Sequence, residues 1–219
     1  MNSAEFKKLV TRYFSPKIRE MGWKGSGFNF YKIENNHIVN IFSFQGSWTG
    51  GSVCCENAIF FDFMKLYHVE TIDKISSAHC IIRQRLSPKG DGDYHWKFKA
   101  KEEDNVKSIS EILDSFTKHG NNFYRSFNNF PDPFDKITVE DLKRDKNYKI
   151  YGKYFILNQL QLIWYLKEIN KFLGRVQIAN EFMAYGKEET NRLYQEQIRK
   201  MPKIDDSILK LYMPLFTEY

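Results

Sequence analysis

Cysteine is scarce in this chain, with three residues in 219, and two of them, Cys54 and Cys55, are adjacent. Neighbouring residues of a strand point to opposite faces, so this spacing yields neither a disulfide framework nor a zinc site. It suits a reducing cytoplasm. Long apolar runs are also missing. Tyr154-Phe155-Ile156-Leu157 is among the longest, far short of the roughly 20 residues that a membrane helix needs. The opening Met1-Asn2-Ser3-Ala4-Glu5 has no basic-then-apolar start, so no signal peptide and no membrane partner are expected. Catalytic signatures are absent too: the sequence contains no His-Glu-x-x-His, Cys-x-x-Cys or Gly-x-Ser-x-Gly, and its five histidines are scattered. No catalytic residue, metal or cofactor is therefore assigned. Internal repeats and low-complexity tracts, which would indicate a solenoid or a disordered tail, are lacking.

What is present is a globular composition, 42% hydrophobic, 27% charged and 16% aromatic. The net charge is +6, and its location matters more than its size. Residues 1–33 hold seven basic side chains against Glu5 and Glu20, a net +5. The rest of the chain is almost balanced, unlike a protein basic throughout.

The order of patterns gives the fold class. Phe6, Leu9, Val10, Tyr13, Phe14, Ile18 and Met21 recur at helical spacing, predicting a helix over 2–21 that stops at Gly22 and bends or breaks at Pro16. Gly25-Ser26-Gly27 reads as a flexible turn. Alternating, aromatic-rich segments follow, predicting strands near 28–33, 37–45, 53–62, 79–86 and 93–99. The Glu34-Asn35-Asn36 turn joins the first two. Past Lys101 the period changes to that of helices: one ending at Gly120, one capped by Thr138, a longer one through Phe155 to Gly174, and another stopped by Pro202. Asp205-Asp206 is placed to cap the last helix. The expectation is an α+β fold: an N-terminal helix, a roughly five-stranded, mostly antiparallel sheet, and a helical C-terminal half. Residues 1–130 form the sheet domain and 131–219 a helical extension packed on it, or the two form one single domain.

Three stretches carry a family resemblance. They are Phe6 through Pro16 to Met21-Gly22-Trp23, then Gly27-Phe28-Asn29-Phe30-Tyr31, then Val39 to Ser47 with its Asn-Ile-Phe-Ser-Phe-Gln-Gly-Ser run. The basic strand Ile81 to Leu86 adds an echo. Together these resemble a bacterial family known as domain of unknown function 4304. The likeness covers the N-terminal half and ends near Gly120. It implies a soluble bacterial α+β domain and brings no established activity.

Two groups of residues are candidates for binding. Gln45, Trp48, Arg83 and Arg85 form the first. Trp48 stands in the loop Gly46-Ser47-Trp48-Thr49-Gly50-Gly51, and exposed loop aromatics serve recognition. His79, Arg83 and Arg85 alternate onto one strand face, where paired guanidinium groups fit an anion, with Gln45 and Asn40 as neutral neighbours. The bland counterpart is pairing of the arginines with Glu56 or Asp62, and a Trp48 folded back over the sheet. The second group is Lys8, Arg12 and Arg19, which share a helix face able to meet phosphates. The aromatics Tyr94, Trp96 and Phe98 alternate with His95, Lys97 and Lys99, a core-and-surface pattern rather than a base-stacking platform. The expected function is a non-enzymatic, cytoplasmic protein-binding module, with an immunity or antitoxin-like role as one form. The alternative is nucleic-acid binding, with or without phosphodiester cleavage, and a third reading is a small-molecule pocket lined by Phe42, Phe44 and Trp96.

Overall fold

The computed structural model describes residues 1–34, 36–64, 71–90, 92–145, 159–200 and 206–217. Of the sequence expectations, Asn35 of the first turn, Phe155, Pro202 and Asp205 lie outside the described residues. The chain divides into two compact units, Met1–Phe130 and Pro131–Tyr219.

The N-terminal unit opens with helix α1 (Ser3–Leu9), a π turn over Val10–Phe14, and helix α2 (Ser15–Glu20). Asn2 caps the start, its Oδ1 accepting from the Glu5 amide at 2.9 Å while Glu5 accepts from the Asn2 amide at 2.8 Å. The π turn is how the helix takes up Pro16. Proline has no amide hydrogen and its ring clashes with the carbonyl four residues back. Here the Ser15 amide already reaches back five residues to the Val10 carbonyl, and Pro16 then falls in the first turn of α2. The helix therefore runs through rather than breaking. Gly22, at φ +85°, closes it, with Trp23 donating to the Ile18 carbonyl at 3.3 Å.

Among the described residues the sheet has six strands: β1 (Lys24–Ser26), β2 (Asn29–Ile33), β3 (Ile38–Gly46), β4 (Ser52–Phe61), β5 (Ile82–Leu86) and β6 (Trp96–Lys97). Their order is β1-β2-β3-β4-β5, every pair antiparallel, and β6 pairs with the start of β4. Three expectations change. The glycine-rich turn is itself an edge strand, because Gly25 at φ +109° lies so close to the Asn29 carbonyl that no Cβ fits. The fourth strand starts at Ile82 rather than 79, since Ser77–His79 coil into a 3-10 turn held by the Ser76 amide donating to His79 Nδ1 at 3.0 Å. The fifth shrinks to Trp96–Lys97, where the short start of β4 ends the ladder.

Both faces of the sheet are covered. On one, Phe42 lies between Phe14 at 5.5 Å and Phe116 at 4.8 Å between ring centroids. Each of these phenylalanines comes from a π turn, the second spanning Phe116–Gly120 between α3 (Glu102–Ser115) and α4 (Asn121–Arg125). Gly120 does not stop this helix; it continues with φ −59°. Phe6 and Phe14 are buried as the helical spacing predicts, and Phe42, Phe44, Ile59 and Trp96 as the strand alternation predicts. Phe42 and Phe44 pack edge to face in this core. The short turns Ile72–Lys74 and Ser77–His79 lie against the other face of β2, β3 and β4.

In the C-terminal unit, α5 (Val139–Arg144) begins at a capping box between Thr138 and Asp141. The Thr138 hydrogen bonds hold the Asp141 carboxyl below the usual carboxylate range. Helices α6 (Gln159–Phe172) and α7 (Val176–Lys200) form a hairpin turned by Gly174 at φ +72°. Helix α8 (Ser207–Tyr212) leads into a 3-10 turn, Met213–Phe216, whose fully buried Phe216 ring lies directly on Gly186. Asp206 stands at the cap position of α8 without a side-chain cap bond. No helix among the described residues is long and apolar enough to cross a membrane.

Candidate functional site

On the sheet face covered by the 3-10 turns, the β3–β4–β5 register brings a charged cluster together. Cross-strand partners place Glu56 opposite both Ser43 and Arg85, and Ala58 opposite Arg83. The Glu56 side chain is only 5% exposed, and a buried carboxylate is tolerated only when it is paired and hydrogen-bonded. It is. Gln45 Nε2 donates to Glu56 Oε2 at 2.7 Å, Arg83 Nη1 lies 3.4 Å from the same oxygen, and Arg85 Nε lies 3.4 Å from Oε1. The cluster also pins the covering segment. Gln45 Nε2 reaches Ser77 Oγ at 3.0 Å, the Ser77 amide donates to Ser43 Oγ at 3.0 Å, and Arg83 reaches the Ser77 carbonyl at 3.4 Å.

The strand register therefore brings Gln45, Arg83 and Arg85 together, but onto an internal acid. An outside anion would have to displace Glu56 from both guanidinium groups. Arg85 Nη1 also contacts Cys54 Sγ and lies 3.9 Å from Asp93. Burial pushes the Cys54 thiol up, with the Arg85 charge opposing, and burial drives the Cys80 thiol far above its ordinary range. Neither is an activated nucleophile. Asn40 lies outside the cluster, donating to Glu34 at 3.1 Å, and Asp62 meets His37 at 3.1 Å. Sequence reasoning missed Ser43 and Ser77; nothing in a serine's spacing marks a contact across 34 residues.

Trp48 is different. Its side chain is fully exposed, at 102% of the reference value, so it does not fold back over the sheet. The loop beneath it is closed. The Ser47 amide donates to the Ser52 carbonyl at 2.9 Å, the Gly50 amide to Ser47 at 3.0 Å, and the Phe98 amide to Gly51 at 2.8 Å. Gly50 and Gly51 adopt φ +78° and +73°, conformations that glycine accepts without strain. A bulky aromatic is thus held in solvent on a short, braced connection.

The basic residues of the first helix are all exposed, but they share a face less closely than their spacing suggests. A π turn adds one residue per turn, which rotates everything after Phe14 by about 100° around the axis. Arg19 is carried away from Lys8 and donates to the Gly25 carbonyl at 2.7 Å. Arg12 lies over the Tyr13 ring and 3.9 Å from Glu102. Lys8 is exposed and makes no ion pair among the described residues. No group of three or more His, Cys, Asp or Glu among the described residues is placed to hold a metal ion.

No curated protein and no solved structure matches the chain. A family model does, over residues 14–126, just over half of the chain. The match runs from the end of the first π turn through every strand of the sheet to α4, and it contains the Glu56 cluster and the Trp48 loop. On that extent the chain belongs to the family described as domain of unknown function (DUF4304).

Proposed function

We propose that the N-terminal unit is a non-enzymatic protein-binding module of the bacterial cytoplasm, with Trp48 as its anchor. The observation that carries this is a fully exposed tryptophan on a hydrogen-bonded loop. Leaving a large apolar ring in water is unfavourable in the free chain, and its burial in a partner's pocket returns that free energy. The braced loop lowers the ordering cost of binding, and tryptophan is prominent among interface hot spots. The Glu56 cluster supports the module from within by fixing the covering turn; it is a scaffold, not a docking site. A nucleic-acid role has weaker support, because the π turn parts Arg19 from Lys8 on the helix surface.

The test is affinity capture from a bacterial lysate with the unmodified chain and with Trp48→Ala, read by quantitative mass spectrometry and followed by binding of the purified partner. A partner whose affinity falls by about 2 kcal/mol or more in Trp48→Ala, with the melting temperature unchanged, supports the module. Equal capture by both proteins removes Trp48 as the anchor.

A further inference from the structure

Resting on the Trp48 reading, we infer that the surface around this loop recognises an acidic protein segment. The β6 register puts Lys97 opposite Ser52, immediately after the loop, and the Phe98 amide is bonded to Gly51. Lys97 and Lys99 therefore flank the base of the loop, both exposed, with half-buried Phe98 between them stacked on Phe6 at 4.8 Å. Neither lysine makes an ion pair among the described residues.

Among the described residues, most of the acids near them in sequence have other partners. Glu5 is taken by the Asn2 cap, Asp93 by Arg85 and His95, Glu102 by Arg12, and Asp104 by Lys107. Glu103, in the first turn of α3, is the nearby exception. The loop itself, Ser47 to Gly51, carries no charge. An apolar anchor on a loop whose base carries two exposed lysines without ion pairs among the described residues calls for a partner with an apolar pocket or side chain bordered by aspartate or glutamate. Such rim charges set approach and specificity more than affinity. Trp48 is the one fully exposed aromatic of this surface, with Trp96 buried, Phe98 half-buried and Tyr94 turned edge to face against Trp96, a poor platform for successive bases of a nucleic acid.

The probe is a phage-displayed library of short random peptides, panned on the full-length chain with Trp48→Ala as the counter-selection. Enriched sequences rich in Asp and Glu beside an apolar residue are expected. Their binding should weaken by about fivefold or more in Lys97→Glu/Lys99→Glu, and it should weaken with added salt. Unchanged melting curves confirm that both variants fold. Enriched peptides without net negative charge, or acidic ones indifferent to the lysine reversal, overturn the inference and leave Trp48 as an anchor of another kind. Failure to enrich any peptide over Trp48→Ala defeats the anchor itself. Tighter binding of a single-stranded oligonucleotide than of any acidic peptide assigns the surface to nucleic acid and overturns the inference as well.

Discussion

Glu56 shows how one residue changes the meaning of its neighbours. Arg83 and Arg85 look like a fork awaiting an anion when only the strand is visible, because their spacing is that of one sheet face. The strand register then sets a buried carboxylate against both. Removing its charge leaves Arg83, under the covering turn, without a counter-ion among the described residues, and Arg85 with only the more exposed Asp93, 3.9 Å away. Glu56→Gln is expected to cost about 3 kcal/mol in urea unfolding, and replacing Glu56, Arg83 and Arg85 together with apolar residues of similar volume should recover much of that. A loss in Glu56→Gln below about 1 kcal/mol would show that the pair is hydrated and contributes as little as a surface bridge. The sequence names both arginines and the acid, but it does not decide whether their charge faces outward or inward. That depends on Ser77–His79 coiling over the face, and its cause is a local Ser76–His79 bond that no periodicity reports.

At the scale of elements, the segments with a strong period are legible and the punctuation is not. The hairpin of β2 and β3, the Thr138 cap and the glycine-ended α6 follow from alternation, capping chemistry and positive φ. Pro16 is instructive. It predicts a bend or break, and the α-helical pattern is interrupted just before it by a π turn whose five-residue hydrogen bond rotates the following face and separates Arg19 from Lys8. Gly25 is the misreading: a glycine that reads as part of a flexible turn is required for the close approach of β1 to the Asn29 carbonyl. Gly25→Ala is expected to destabilise the N-terminal unit by about 2 kcal/mol, measured by urea unfolding, because it meets both a positive φ and the Asn29 carbonyl. An unchanged midpoint would mean that β1 contributes nothing to the sheet.

For the whole molecule, the division at Phe130 and Pro131 gives each unit its own core and so its own response to substitution. Gly186→Ala drives a methyl group into the Phe216 ring, an overpacking expected to cost about 1–3 kcal/mol. Hydrogen exchange read by mass spectrometry should show the loss of protection in α6, α7 and the 213–216 turn, with the sheet unchanged. Equal loosening of both units would show that they unfold as one. The fold class was legible at this scale because the change from alternating to helical period coincides with the change of layer. The direction in which loop side chains point was not, and Trp48 is the clearest case. It also gives the chain an optical label. Trp23, Trp96 and Trp164 are all buried, while Trp48 stands in water. The red edge of the indole emission, and the fraction reached by a soluble quencher, therefore report on a single position. Any partner that covers the loop announces itself as a blue shift, without a dye and without altering the protein.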